Sequence, residues 1–349
     1  MKKHIKRISL MIVCIILLLV GSFCIYYFSR FRTLSSIQKV TSYEDGYNLY
    51  QIDIKYDYDL DQIIDYGITD NQSMIDAIIK EALPLLPVKI KAPDFGCTAF
   101  TMTDNQNQVH MGRNYDFKLD TSAMLVYCTP QNGYKSVAFA ALDNISANTP
   151  DESMKKKLAT LTSPFICLDG MNEKGVSIAV LTLDSEPVFQ NTGKPTIATT
   201  LAIRLVLDRA ASTQEAVDLL KEYDMFASSG RDYHFYITDA SGDGRVVEYD
   251  CEKETRPLVA TPMEAITNFY GLYRVKVLPN QRNGIYGHGR ERYDAVMKVL
   301  EEQAEGYTND TVWDALKASS QEPNPVDITS NTQWSIAYNN TGLTAEIVI

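Results

Sequence analysis

Histidine is scarce in this chain, with 4 in 349 residues, and the 6 cysteines include no C-x-x-C pair. No His/Cys run has metal-ligand spacing, so a zinc or iron–sulfur site is not expected. The sequence also lacks low-complexity tracts and internal repeats, which excludes solenoid and propeller architectures. Acidic residues are missing from residues 1–32, where six Lys/Arg lie. The remainder holds 27 basic and 44 acidic residues, so the body is strongly acidic. An acidic body argues against nucleic acid or an anionic membrane surface as its partner.

What is present begins with a long apolar stretch. Lys2, Lys3, Lys6 and Arg7 precede a 21-residue run without charge, from Ile8 to Phe28. About 20 apolar residues span a bilayer. The run ends in FCIYYFSRFR with no small-residue cleavage site, and its aromatics suit an interfacial belt. More positive charge lies before it than after it, which predicts a cytoplasmic N-terminus and an extracytoplasmic body. Residues 1–32 therefore read as a basic tail and signal anchor, with the membrane contacted through residues 8–28. An atypical cleaved signal, giving a secreted protein, is the alternative.

Residues 33–96 read as a compact pro-segment, or as an N-terminal subdomain that is never removed. It holds a strand at 47–58 and a helix at 73–83, with Ser73 as its cap. Residues 97–349 form the main domain. FGCTAF (95–100) opens a strand, DNQN (104–107) is a turn, and QVHMGR (108–113) alternates into GRNYDF (112–117). Strand, turn, strand is a β-hairpin. It brings Arg113 and Asp116 near Cys97. An Arg nearby favours thiolate over thiol. On spacing alone, a small core Cys and a solvated Arg/Asp pair are the favoured reading.

Further strands are expected at 123–130 and 136–142. MNEKG is a turn between two apolar strands within 164–184, with Gly175 at a left-handed position. Helices are expected at 196–212 and at 213–224, the second capped by Thr213. A hairpin follows at 234–250. EAITNFYG places Asn268 just after a strand. Helices at 287–303 and 311–319 precede closing strands at 332–349. Arg290 and Arg292 stand at the mouth of the first of these helices. The order is that of a mixed α+β domain.

GCT followed by GRNYDF, then GMNEKGVSIA, ITNF and RERY, resembles the choloylglycine hydrolase family. Its members include bile salt hydrolases and penicillin V acylases, with relatives resembling acid ceramidase. The resemblance covers roughly residues 95–349. It implies a four-layer αββα sandwich of the N-terminal-nucleophile hydrolase type. It implies that Cys97 becomes the first residue of a mature chain by self-cleavage after Gly96, as in relatives with long leaders. The thiol is then nucleophile and its own α-amine the base. Arg113 and Asp116 match family site positions; Asn268 matches an oxyanion Asn and Arg292 a late Arg near the nucleophile. Asn172 is expected to buttress the site or to form the turn. Thr182 stands where bile salt hydrolases have a second Asn, a departure that bears on specificity. The implied activity is hydrolysis of linear amide C–N bonds in small N-acyl amides, without cofactor. An acyltransferase of the isopenicillin N type, or an inactive membrane-anchored binding protein, is the alternative. A Cys–His hydrolase using His110, His234 or His288 is a rival within the enzyme class. A homo-oligomer stays open.

Overall fold

The computed structural model describes residues 2–43, 46–84, 96–117, 121–282, 284–323 and 331–349. A helix, α1 (Lys2–Ser35), begins the chain. From Met11 onward it is long and apolar enough to cross a membrane. It continues past the apolar run, and its last turns pack on the body. There Arg30 donates through Nε to the Ala82 carbonyl at 2.9 Å and through Nη2 to that of Glu81 at 2.7 Å. The Thr33 hydroxyl accepts from the Lys55 amide at 2.7 Å.

Next come β1 (Gln38–Ser42), β2 (Asn48–Ile54), α2 (Leu60–Asp65) and α3 (Asn71–Ala82). The strand expected over 47–58 stops at Ile54. The cap of α3 is Asp70, not Ser73: the Asp70 carboxylate accepts from Ser73 N at 2.7 Å. Ser73 returns a bond to the Asp70 amide at 3.0 Å, forming a reciprocal box that shields two helix-start donors. The expected lead-in to Cys97, residues 88–95, lies outside the described residues.

The hairpin forms as expected, from β3 (Gly96–Thr103) and β4 (Val109–Phe117). It is followed by β5 (Ala123–Cys128), β6 (Ser136–Ala141), α4 (Met154–Ala159), β7 (Cys167–Asn172) and β8 (Ser177–Leu183). Gly175 sits in the β7–β8 turn at φ +77°. The expected helix over 196–212 divides into a short strand, β9 (Thr196–Ala198), and α5 (Thr199–Arg209). In α6 (Thr213–Lys221) the cap is Ser212, one residue before the expected Thr213. The Thr213 amide is instead taken by the Asp239 carboxylate at 2.8 Å.

The chain closes with β10 (Asp224–Phe226), β11 (Asp232–Thr238), β12 (Arg245–Tyr249), β13 (Leu258–Pro262) and β14 (Ala265–Ile266). Then follow α7 (Arg290–Glu302), α8 (Asn309–Ala318), β15 (Asn331–Asn339) and β16 (Thr344–Val348).

Two sheets carry the fold. The larger runs β1-β2-β5-β6-β7-β8-β11-β12-β13 and the smaller β14-β3-β4-β15-β16. All neighbours in the larger sheet are antiparallel except β2 and β5, which pair in parallel. The outer face of the larger sheet is covered by α5 and α6, that of the smaller by α7 and α8, and β3 meets β8 and β11 between them. This is the four-layer αββα arrangement. Strands β7 and β8 are buried along their whole length, as strands covered on both faces must be. Apolar burial on both faces is the main stabilising force of such a sandwich.

Candidate active site

Cys97 lies at the start of β3, paired with Tyr115 on β4; Ala99 pairs with Arg113 and Gly96 with Asp116. Side chains alternate across a strand. Cys97 and Arg113 therefore share one face, toward the larger sheet, while Asp116 points to the other. The expected trio does meet at Cys97, but from two sides. Arg113 serves the thiol, and the Asp116 carboxylate braces Arg292, which holds the Cys97 carbonyl.

On the inner face, Arg113 is fully buried. Its Nε pairs with Asp169 Oδ2 at 3.2 Å, and Nη2 donates to the Val180 carbonyl at 3.2 Å. The Tyr338 hydroxyl donates to the other Asp169 oxygen at 2.5 Å. Burial opposes charge on Arg113, yet Cys97 and Asp169 hold its guanidinium above the usual range. Burial also pushes the Cys97 thiol up to about 11, against the pull of Arg113 and of a hydrogen bond from the Asp116 amide. With the chain uncut, the thiol is therefore protonated at neutral pH. Asp169 and Tyr338 carry no motif in the sequence; a buried Asp in an apolar strand (FICLDGM) is the signal that would have found the first.

On the other side, two side chains hold the Cys97 backbone, Asn268 at its nitrogen and Arg292 at its carbonyl, and Asp116 braces Arg292. Strand β14 pairs Ile266 with Ala99 and Ala265 with Phe100, and its continuation puts Asn268 opposite Cys97. There the ladder ends, and the Asn268 side chain takes over. Its Oδ1 accepts from Cys97 N at 3.0 Å and from Arg292 Nη2 at 2.7 Å. Because Arg292 can only donate, it fixes which way the Asn268 amide faces. Asn268 Nδ2 donates to Thr182, at 3.0 Å to the carbonyl and 3.2 Å to the hydroxyl. Arg292 Nη1 reaches the Cys97 carbonyl at 2.9 Å, Thr98 Oγ1 at 3.0 Å and Asp116 Oδ2 at 3.3 Å. Asp116 also accepts from Gln321 Nε2 at 2.8 Å and Thr332 Oγ1 at 2.7 Å.

Arg292 reaches inward because of the glycine before its helix. Gly289, at the start of α7, has φ +81°, and a Cβ there would lie 2.4 Å from Arg292 Nη2. Gly287, at φ +98°, lets the chain pass the Asn268 carbonyl, 2.0 Å from where its own Cβ would stand. The GHG stretch is thus shaped around two site residues. Arg290, by contrast, is a partly exposed partner of Asp294.

Asn172 lies outside this cluster. Its Oδ1 accepts from Lys174 N and Val176 N, and its Nδ2 donates to the Leu207 and Ala210 carbonyls. It ties the β7–β8 turn to the end of α5. The three histidines are also engaged elsewhere. His110 pairs with Asp104 at 3.0 Å, five residues along the hairpin or about 16 Å from the Cys97 level. His234 is bonded to the Thr267 carbonyl, and His288 Nδ1 to Asp184 at 2.7 Å. Of the aromatics Tyr115, Phe117, Tyr270 and Tyr273, the first three are buried and Tyr273 is partly exposed; Tyr115 stacks on Trp334 with centroids 4.2 Å apart. All six cysteines are free thiols. Among the described residues no His/Cys/Asp/Glu group has the makings of a metal site.

Comparison with known proteins agrees with the fold. Residues 97–255 match the family described as linear amide C–N hydrolases, choloylglycine hydrolase family. The matched stretch begins at Cys97; Asn268 and Arg292 lie beyond it. Among solved structures, the fold is similar to a penicillin V acylase from Agrobacterium tumefaciens. That match has TM-score 0.51 and 18% identity, covering 72% of this chain and 82% of that one. It is equally similar to two variants of a conjugated bile acid hydrolase from Clostridium perfringens. Each gives TM-score 0.52 and 15% identity, over 72% of this chain and 88% of theirs.

Proposed function

We propose that this chain, whose residues 97–255 match the family described as linear amide C–N hydrolases, choloylglycine hydrolase family, is a member of it, matures by cleavage before Cys97 and hydrolyses small N-acyl amides through a Cys97 thioester. One observation carries the proposal. The backbone nitrogen of Cys97, which cleavage would turn into a free amine, is already held by the side chain of Asn268 at 3.0 Å.

In the cleavage step, Cys97 Sγ attacks the Gly96 carbonyl carbon. The Gly96–Cys97 C–N bond breaks, and the acyl group moves from nitrogen to sulfur. Water then hydrolyses this thioester, leaving a Gly96 carboxylate and a free Cys97 thiol and amine. An α-amine has a reference pKa of about 7.7–8.0, close to working pH. It takes the thiol proton as Sγ attacks the substrate carbonyl, and returns it to the leaving amine as the amide bond breaks. Water releases the acid from the second thioester. Arg113 stabilises the thiolate. Asp116 and Arg292 fix the position of the first residue, and Asn268 Oδ1 orients the amine. The oxyanion role of Asn268 requires Nδ2 to leave Thr182 when substrate enters, which makes Thr182 the group that tunes it.

The apolar helix is read as a retained anchor, with the body extracytoplasmic. The bonds of Arg30 and Thr33 to residues 55 and 81–82 support this, because removal of the helix through residue 33 would strip them. The test is a panel of N-acyl amides with fatty, bile-acid and phenoxyacetyl groups, assayed on native protein and on Cys97→Ala. Amide cleavage that survives Cys97→Ala refutes the assignment of the nucleophile.

A further inference from the structure

Strand β14 is two residues long and ends at Ile266. Asn268 therefore lies in irregular backbone, where no ladder sets its direction. Yet its side chain must face Cys97 with one atom and Thr182 with the other. Two side chains of the larger sheet supply the missing constraint. Phe235 on β11 pairs with Val247 on β12, so His234 and Glu248 stand side by side at the next position, on the opposite face from Phe235. Both are fully buried. His234 Nε2 lies 2.9 Å from the Thr267 carbonyl. A carbonyl can only accept, so Nε2 carries the hydrogen. His234 Nδ1 has no hydrogen-bond partner among the described residues and stands 3.7 Å from Glu248 Oε2. Glu248 uses both oxygens on the backbone beyond Asn268. Its Oε2 accepts from the Gly271 amide at 2.9 Å and its Oε1 from the Leu272 amide at 2.7 Å. One side chain thus holds the peptide group just before Asn268, and its neighbour holds the turn that follows.

We propose that His234 and Glu248 are positioning residues of the reaction: they hold the stretch 267–272 at both ends and so aim the Asn268 side chain at Cys97. This deepens the proposed amide hydrolysis and rests on it. Neither residue needs to touch substrate. The peptide group between Thr267 and Asn268 moves as a plane. A bond to the Thr267 carbonyl therefore fixes the Asn268 nitrogen and, with it, the direction in which the side chain leaves the backbone. Without the His234 donor that carbonyl is buried and unpaired, and the plane turns to find another donor. A misplacement of about 1 Å costs about 10²-fold in rate. Asn268 keeps two other ties, from the His288 amide to its carbonyl at 2.8 Å and from Arg292 to its Oδ1. The loss expected here is accordingly smaller, about tenfold.

The experiment compares the native full chain with His234→Gln, His234→Leu and Glu248→Gln on one amide that the native protein cleaves. Gln carries an N–H donor the same number of bonds from the backbone as His234 Nε2; Leu fills similar space without one. Glu248→Gln turns one of two acceptors into a donor. His234→Leu and Glu248→Gln should lower kcat about tenfold with KM within a few-fold, while His234→Gln keeps most of the native rate. Unchanged kcat in His234→Leu, or equal losses in the Leu and Gln variants, would overturn the inference. Should His234→Leu not fold, His234→Asn takes its place, since it stays polar but stops short of Thr267. A second readout needs no turnover. In the uncut Cys97→Ala chain, the amide of residue 97 is protected from hydrogen exchange by Asn268 Oδ1. Adding His234→Leu should speed exchange there but not at Thr101, whose amide bonds to the Glu264 carbonyl. Adding His234→Gln should leave both protected. Undiminished protection at residue 97 in the Leu variant would also overturn the inference. A native chain that cleaves no amide counts against the proposed function, and the exchange readout then still decides whether His234 aims Asn268.

Discussion

Asn268 Oδ1 stands 3.0 Å from the backbone nitrogen of Cys97 and 2.7 Å from Arg292 Nη2. A side chain here completes a strand ladder that the backbone of β14 leaves unfinished. The same contact that satisfies an amide in the uncut chain would orient an amine in the cut one. Asn268→Ala removes that acceptor and leaves two buried donors unpaired. Stability should fall by about 1–3 kcal/mol. Turnover should fall about 10²- to 10³-fold, as for loss of an active-site polar contact, with KM within a few-fold. Steady-state kinetics on a cleaved amide checks this; an unchanged kcat removes Asn268 from the reaction.

Arg113 and Asp169 form a fully buried pair, closed by Tyr338. Asp169→Ala would strand a buried guanidinium at a cost of about 3–5 kcal/mol. Tyr338→Phe removes one hydrogen bond and should cost about 1 kcal/mol. Urea unfolding of both variants in an uncut Cys97→Ala background separates the two sizes. Equal losses would show that buried Arg113 does not depend on Asp169 for its charge.

Burial raises the Cys97 thiol to about 11 in the uncut chain. Below that value the thiol is protonated, and the reactive thiolate fraction grows as pH rises. Self-cleavage should therefore quicken by about tenfold per pH unit between pH 7 and 9. Cleavage time courses read by denaturing gel give the slope. A flat profile would mean that proton loss from the thiol does not limit the step.

Gly289→Ala places a methyl group where Arg292 Nη2 now sits and forces a left-handed residue. The backbone cost alone is about 1–2 kcal/mol. Arg292 should lose its hold on the Cys97 carbonyl and Asp116. Both self-cleavage and turnover should drop, while Gly306→Ala, with open space around it, should leave both unchanged. Normal processing in Gly289→Ala would show that the Arg292 contacts are dispensable.

The hairpin that joins Cys97, Arg113 and Asp116 is legible from local pattern, whereas the αββα order and the places of Asn268 and Arg292 are legible only through the resemblance of their motifs. Alternation in 108–117 fixes which residues share a face, and ITNF marks the end of a short strand. What was not legible depends on pairing at long range. Nothing local in YNLYQIDI tells that it enters the main sheet beside Ala123–Cys128, seventy residues on. Tyr338 reaches Asp169 only because β15 pairs with β4. The caps at Asp70 and Ser212 were missed by a few residues at most, since several polar residues there compete for one role. Asn172 read as a site residue from its motif, but its turn and the end of α5 use all its bonds.

The measurement that bears most directly on the central claim is intact mass and N-terminal sequence of the purified full chain under denaturing conditions. Maturation at Gly96–Cys97 predicts a fragment that begins Cys-Thr-Ala-Phe, about 28 kDa in proportion to the 349-residue, 39.2 kDa parent. It also predicts that Cys97→Ala yields only the parent. A parent chain that stays whole across pH 5–9 in reductant, yet still hydrolyses amides, would contradict it.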